Sequence, residues 1–235
     1  MVFESAEICL HKLTLPLLKS AIVDLDLLAI GILVEMEANN AAFNVYRWNK
    51  YALSLSQSVT DVSLSDMANA VHHEQNTLAV EYSNEYDIYT LIENIILKKS
   101  DFEWNEATSV QRRELVEILL ATVVLPVYAL DSMYSAVDNC NNGQDSVEWD
   151  KAVATLIGYL EGPDDGGSEK GTLLYDIGQY LCSNANTCND NGDAEVNRLL
   201  MNELKLGKQN LDSKQCTLAS ESIYTIEILF QVSLM

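Results

Sequence analysis

Two carboxylates in the second half of the chain have a residue type and spacing that could bind a metal ion. Asp150 and Glu161 are 11 residues apart (161 − 150), close to three turns of a helix, so they would share one helix face. Carboxylate oxygens suit a hard cation such as Fe(III), and a phenolate from Tyr175 or Tyr159 could join them. An alternative stays open. Asp150 would favour the helix dipole from a first turn, and Glu161 would be a solvated residue before a turn.

Two adjacent histidines suggest a second, weaker metal hypothesis. His72 and His73 would point about 100° apart on a helix, so they cannot easily bind one ion. The Glu-x-x-His motif of di-iron carboxylate bundles does not occur in the sequence. Tyr82, Tyr86 and Tyr89 share a helix face, which is more typical of a half-buried helix seam than of a phenolate site.

The sequence lacks the motifs of common enzyme classes. The acidic, glycine-rich segment 163–171 has neither the Walker pattern of a phosphate loop nor the glutamate that closes a calcium loop. No Gly-x-Ser-x-Gly motif is present. We therefore expect a surface loop at 163–171, and a binding protein rather than an enzyme.

Four of the five cysteines lie in polar, turn-like sequence, and four cysteines allow three pairings. We favour Cys182–Cys188, which closes a short polar segment, together with Cys140–Cys216. Disulfides would indicate an oxidising compartment, whereas five reduced cysteines are the alternative. Cys9 lies in an apolar run and is expected to be a small buried side chain. A zinc site is not expected, because no Cys-x-x-Cys occurs.

Composition excludes several classes of protein. The 235 residues include 14 Lys and Arg against 35 Asp and Glu, a formal charge of −21, which argues against nucleic acid as a partner. The 48% hydrophobic content rules out a disordered chain. The longest apolar stretch, residues 25–36, is interrupted by Asp26 and Glu35, so no membrane span is predicted. The start lacks a signal-peptide pattern and the end stops inside an apolar periodic run. We expect a fragment trimmed at both ends, with a signal peptide missing from it.

The elements that must position these residues are predicted to be helices, because apolar residues recur at helical spacing through most of the chain. Helices are expected over about 40–57, from a cap at Ser65 towards residue 99, from a cap at Thr108 or Ser109, and from about 145 to Gly162. Shorter ones follow over 172–181, 193–206 and 214–235. Two apolar stripes are predicted: Leu13, Leu17, Leu18, Ala21, Leu25, Leu28 and Ile32, and Leu115, Ile118, Leu119, Thr122, Val123, Pro126, Val127, Leu130, Met133 and Val137.

Three landmarks recur in the same order and predict an internal duplication. They are Pro16 and Pro126, Trp48 and Trp149, and Leu91 and Leu199. We predict an all-α fold, a helical bundle built from two similar repeats of about 108 residues, over 1–108 and 109–235, which pack as one compact domain over 1–235.

The segment from Trp149 to Cys188 carries a family resemblance. Its motifs are WDKAVATLIGYLEG, then GGSEKGTLLYDIGQYLC, then NTC. They resemble the low-iron-inducible periplasmic protein family of algae, which is related to the diatom iron-starvation-induced phytotransferrins. The resemblance covers about residues 145–235, and the chain departs from the family pattern at Leu156, Ile157 and Tyr159.

The resemblance implies an extracytoplasmic, periplasmic or cell-surface protein that binds ferric iron and concentrates it at an algal cell surface for uptake. The expected metal ligands are Asp150, Glu161 and Tyr175, and the site would use iron with carbonate, held by Arg198 or Lys170. A cell-surface uptake partner would receive the metal. The rivals are an acidic helical scaffold or interaction protein without a metal site, and an iron-handling oxidase.

Overall fold

A computed structural model of the chain describes residues 22–49, 62–70, 88–99, 106–144, 147–158 and 173–233. These ranges are helical and contain no β-strand, which confirms the all-α prediction. The helices are α1 (Val23–Glu35), α2 (Asn39–Trp48), α3 (Leu64–Asn69), α4 (Ile88–Leu97), α5 (Ser109–Leu119), α6 (Leu125–Asn141), α7 (Val147–Ile157), α8 (Leu174–Ala185), α9 (Glu195–Asp212) and α10 (Cys216–Ser233).

Helices α1 to α5 pack chiefly on one another, and so do α6 to α10. The two groups are joined by one 33-residue helix, Ser109–Asn141, which comprises α5, a π-helical segment and α6. The buried apolar side chains of both groups form one continuous cluster. The core therefore extends along this shared helix, with the other helices around it.

Ser109–Asn141 is long and apolar enough to cross a membrane, whereas the sequence analysis predicted a helix here but no membrane span. In its most apolar window, 61% is buried inside the protein. The core helix of a bundle has the same length and composition as a membrane span, so this finding is weak evidence for a membrane segment.

The π-helical segment Leu120–Val124 changes which face of the long helix is buried. Beyond it the predicted stripe is correct, since Val127, Leu130 and Met133 are buried. Before it the prediction is correct only in part: Leu115 and Leu119 pack partly buried against the core, whereas Ile118 is 54% exposed and Val116, outside the stripe, is buried. A π turn contains an additional residue, which rotates the side chains before it relative to those after it.

Helix α1 also buries a different face from the predicted one. Asp24 and Leu27 are fully buried, whereas Ile32, in the predicted stripe, is 45% exposed. Apolar residues surround almost the whole helix, so their periodicity does not distinguish one face from another. The predicted stripe residues before Ile22 lie outside the described ranges.

Capping explains where several helices begin and end. Thr108 caps α5 as predicted, in a capping box with Gln111. Helix α3 is capped by Ser63 with Asp66 rather than by Ser65. Helix α2 ends at Trp48, earlier than the predicted residue 57, because Asn49 adopts a left-handed φ of 54°.

A fully buried arginine joins three helices of the first group. The Nη1 of Arg112 donates hydrogen bonds to Asn39 Oδ1 at 3.2 Å, Ile95 O at 3.1 Å and Ile96 O at 3.2 Å. Burial lowers the pKa of Arg112, and the charge of Glu37 partly offsets this. Arg112 thus satisfies carbonyls at the end of α4 and holds the start of α2 against α5.

Both predicted disulfides are present. Cys140–Cys216 joins the last turn of α6 to the first residue of α10, and Cys182–Cys188 closes the chain after α8. Each is formed between cysteines of the polar segments, in the pairing that the sequence analysis favoured.

The predicted two-repeat arrangement is not confirmed. Trp48 is the last residue of α2 and is 59% exposed, whereas Trp149 lies in the first turn of α7 and is fully buried. These two landmarks therefore occupy different positions in their helices. Pro16, the partner of Pro126 in the proposed duplication, lies outside the described ranges.

Candidate functional site

The Trp-Asp motif of α7 packs against α9. The Nε1 of Trp149 donates a hydrogen bond to Leu204 O at 3.0 Å, and the indole ring lies directly against Gly207. A Cβ at position 207 would overlap the Cζ2 and Cη2 atoms of that ring. Gly207 is therefore required for the close approach of the two helices at this point.

Asp150, the first predicted ligand, forms an ion pair. Its Oδ2 lies 2.9 Å from Nζ of Lys208, one residue after Gly207, and Asp212 lies 3.5 Å from the same nitrogen. Burial alone would lower the pKa of Lys208, but the hydrogen bond and charge of Asp150, together with Asp212, raise it overall. The Asp150 carboxylate is thus neutralised by a cation of the chain.

The helix face that was predicted to join Asp150 and Glu161 stops before it reaches Glu161. Helix α7 ends at Ile157, and Gly158 leaves it with a φ of 75°. The predicted continuation of this helix to Gly162 is therefore wrong at Gly158. Glu161 lies outside the described residues. Because the helix ends before it, helix periodicity no longer predicts that Glu161 and Asp150 share a face.

Tyr175 is the second residue of α8, and its side chain lies outside the description. Tyr159 and Lys170 also lie outside the described ranges. Arg198, one of the residues predicted to hold carbonate, is exposed and forms an ion pair with Glu195 of the same helix. The ion pair and the hydrogen bond with Glu195 raise the pKa of Arg198.

A buried carboxylate that was not among the predicted ligands lies where α7 ends and α8 begins. Asp24 of α1 is fully buried, and its Oδ2 lies 2.5 Å from the position that a Cβ of Gly158 would take. The Cδ1 of Leu173, the residue before α8, lies 2.8 Å from that position. We call this meeting point of Asp24, Gly158 and Leu173 the Asp24 junction.

Helix α8 contributes a further acidic group beside Tyr175 in the sequence. Asp176 is half-buried, and this burial raises the pKa of its carboxyl group. It lies in the first turn of α8, next to Tyr175 and three residues after Leu173. The start of α8 therefore combines a partly desolvated carboxyl group with the candidate phenol.

The other end of α8 is fixed by the disulfide loop. Asn186 has a left-handed φ of 55°, and Cys182–Cys188 closes the chain around it. Gln179 holds the segment that follows, because its Nε2 donates to Gly192 O at 2.7 Å and its Oε1 accepts from Ala194 N at 2.9 Å. Helix α8 and the start of α9 are thus held together.

The weaker metal hypotheses lie mostly outside the described residues, namely His72, His73, Tyr82 and Tyr86. Tyr89 is half-buried and stacks on Tyr46 with a centroid distance of 6.0 Å, as expected of a helix seam. Among the described residues, no group of three or more His, Cys, Asp or Glu is arranged to hold a metal ion.

Sequence reasoning missed two partners at this site, Lys208 and Asp24. The sequence contained a signal for Lys208, because it follows Gly207. An isolated glycine inside a helical pattern indicates close packing near that position. For Asp24 no signal existed, because the periodicity of α1 pointed to another face.

No family model, curated protein or solved structure matches the chain. The kinship with the low-iron-inducible family therefore remains a resemblance, based on the motifs between Trp149 and Cys188.

Proposed function

We propose that the chain is an extracytoplasmic protein that binds ferric iron and concentrates it at an algal cell surface for uptake, without catalysing a reaction. The observation that carries the proposal is the structural role of the family-like motif. Its tryptophan, Trp149, anchors α7, and its cysteine pair, Cys182 and Cys188, closes the loop after α8. Disulfides are stable in oxidising compartments, which supports an extracytoplasmic location.

The charge of the chain supports a cationic ligand. A formal net charge of −21 raises the local concentration of cations around the protein and disfavours polyanions. Fe(III) prefers oxygen ligands, and the proposed ligand set of Glu161, Tyr175 and Asp150 provides carboxylates and a phenolate. Carbonate is the proposed accompanying anion, and a cell-surface uptake protein is the proposed partner.

The three proposed ligands are not equivalent. Asp150 lies eight residues before Gly158 (158 − 150) in the sequence, and an α-helix rises about 1.5 Å per residue, which separates the two by about 12 Å along the axis. Glu161 follows Gly158 by three residues, and Tyr175 follows Leu173 by two. We therefore favour Glu161 and Tyr175 as direct ligands, and assign Asp150 a supporting role through Lys208.

Titration of the oxidised protein with Fe(III), with and without bicarbonate, tests the proposal. A tyrosinate ligand would produce a visible phenolate-to-iron charge-transfer band that saturates with added metal. Tyr175→Phe should abolish the band, while Tyr180→Phe should keep it, since Tyr180 lies on the same helix and is 67% exposed. A band that survives Tyr175→Phe would remove that residue from the site.

An acidic helical scaffold or interaction protein is the second candidate. The observation that favours it is the ion pair of Asp150 with Lys208, because the structural role of this carboxylate requires no metal. Wild-type protein that shows neither saturable iron uptake nor a charge-transfer band would support the scaffold and overturn the iron proposal. Oxygen consumption after addition of Fe(II) would instead indicate an iron-handling oxidase.

A further inference from the structure

Helices α9 and α10 expose apolar side chains on the side that faces away from the core. The two helices are joined by the short turn 213–215 and pack closely on each other, so they run antiparallel. Leu204 of α9 and Ile223 of α10 are buried on the inner side. The outer side carries large hydrophobic residues that are between 39% and 66% exposed, namely Leu199, Leu206, Leu218, Tyr224 and Ile228. We call this outer side the α9–α10 face.

The same two helices carry little of the net charge of the chain. Residues 195–233 contain five acidic and four basic residues, a formal charge of −1, whereas the whole chain has a formal charge of −21. Helix α10 contains no lysine or arginine, and of its two glutamates Glu227 is buried and Glu221 is exposed. Two molecules of large, like charge repel each other, and this repulsion is smallest where nearly neutral surfaces meet. The α9–α10 face thus allows two copies of the chain to meet at low electrostatic cost.

The size of the face suits a small, reversible dimer. Each helix has 18 residues and is therefore about 27 Å long at a rise of about 1.5 Å per residue. Two such helices side by side, each about 10 Å wide, present about 500 Å² in projection, and more as accessible surface because side chains protrude from it. Specific dimers bury about 600 to 1,000 Å² per partner. The α9–α10 face reaches the lower end of that range.

We propose that two copies of this chain form a homodimer through the α9–α10 face, related by a two-fold axis parallel to the helices. Such an axis places α9 of one copy over α10 of the second copy at the same height. Lys205 and Glu221 are both exposed and lie nine (214 − 205) and seven (221 − 214) residues from Lys214 in the turn. Their heights above the turn therefore differ by only about 3 Å. Lys205 of each copy faces Glu221 of the second copy, and the exposed leucines of both copies become buried between the helices.

Sedimentation equilibrium of the intact, oxidised protein measures this association without added metal. The apparent mass should rise from 26.2 kDa towards twice that value as the protein concentration increases, with a dissociation constant in the micromolar range. Association should strengthen when salt is raised from about 10 mM to about 150 mM, because the repulsion between two copies is then screened beyond about 8 Å rather than about 30 Å. A chain that stays monomeric at about 1 mM, far above a micromolar dissociation constant, would overturn the proposal.

Exchange of the two opposite charges tests the pairing and leaves the apolar residues unchanged. In about 150 mM salt, Lys205→Glu and Glu221→Lys should each weaken the dimer at least about fourfold, because each places like charges opposite one another at two symmetric positions. The double variant Lys205→Glu/Glu221→Lys has the net charge of the wild type and should restore the dimer. A double variant that dimerises no better than either single variant would contradict the proposed arrangement.

A charge introduced into the apolar part of the face provides the second test. Leu206→Glu and Ile228→Glu should each leave the protein monomeric at concentrations at which the wild type is a dimer. Ile118→Glu is the matched control, since Ile118 is a similarly exposed apolar residue, 54% exposed, on α5. Far-ultraviolet circular dichroism verifies that each variant keeps the wild-type helix content. Loss of the dimer in Ile118→Glu, with the dimer retained in Leu206→Glu and Ile228→Glu, would refute the α9–α10 face as the interface.

Discussion

The contact between Gly207 and Trp149 predicts that alanine at position 207 destabilises the protein, which is the opposite of what helix propensity alone would give. Alanine in place of glycine inside a helix ordinarily stabilises a protein by about 1 kcal/mol. At position 207, however, the new Cβ would overlap two ring atoms of Trp149 and lie 3.2 Å from a third, Cε2. Trp149 is fully buried and hydrogen-bonded to Leu204, so its ring has little freedom to move.

The expected change in the free energy of unfolding for Gly207→Ala is the sum of opposing contributions. Overpacking a core costs about 1–3 kcal/mol, and displacement of the ring would also weaken its hydrogen bond, at about 1 kcal/mol. Set against the gain of about 1 kcal/mol in propensity, the expected net loss for Gly207→Ala is roughly 1–3 kcal/mol. Urea unfolding of the oxidised protein, followed by circular dichroism, would measure it as a lower midpoint at unchanged slope.

A double-mutant cycle isolates the contact. In a Trp149→Leu background the ring is absent, so Gly207→Ala should stabilise the protein by up to about 1 kcal/mol. The difference between the two backgrounds, roughly 1–4 kcal/mol, would be the energy of coupling between the two positions. If Gly207→Ala stabilises the wild-type protein, or has the same effect in both backgrounds, the proposed packing of α7 on α9 is refuted.

Two further predictions concern stability. Removal of the Cys140–Cys216 bond by double alanine substitution should cost about 4 kcal/mol, and removal of the Cys182–Cys188 bond about 2 kcal/mol, because the sequence separations are 76 and 6 residues. Denaturant unfolding would measure both, and equal losses would contradict the loop-entropy argument. Tyr134→Phe should cost about 1–2 kcal/mol at neutral pH by removing a 2.9 Å hydrogen bond to a buried glutamate. Burial raises the pKa of Tyr134, so its stabilisation is complete below the ordinary tyrosine pKa of about 10 and is lost above it. The difference between wild type and variant should therefore shrink as pH rises beyond 10, and a difference that grows would contradict this.

Local signals in the sequence were sufficient for the fold class and for several details. The hydrophobic spacing predicted an all-α protein, and Thr108 was identified as a helix cap from its residue type and position. The disulfides were predictable because four cysteines lie in polar sequence, and one pair is separated by a short polar segment. Each of these features depends on residues close together in the chain.

Features that depend on tertiary packing were not predictable. The buried face of α1 was misassigned because apolar residues surround the helix, and this concealed Asp24. The stripe through α5 was wrong at Ile118, because a π turn at Leu120–Val124 changes the phase of the helix. The pairing of Asp150 with Lys208 joins residues 58 positions apart, and no local pattern links them.

The candidate site shows the same difference between features that local sequence predicts and features that depend on tertiary packing. Periodicity suggested that Asp150 and Glu161 share a helix face, but the left-handed Gly158 ends α7 after Ile157. A glycine at this position is compatible with either a continuing helix or a C-terminal stop, and Gly158 takes the stop, with a φ of 75° and with Asp24 packed against it. The Asp24 junction could therefore be found only from the arrangement of α1, α7 and α8.

Equilibrium binding of iron to the intact, oxidised chain tests the central claim most directly. The protein would compete for Fe(III) with a chelator of known affinity, in the presence of bicarbonate, while the bound metal is counted. The account predicts saturation at one ferric ion per chain, together with a charge-transfer band that disappears in Tyr175→Phe. Binding that rises without saturation, or no retained iron at all, would contradict it.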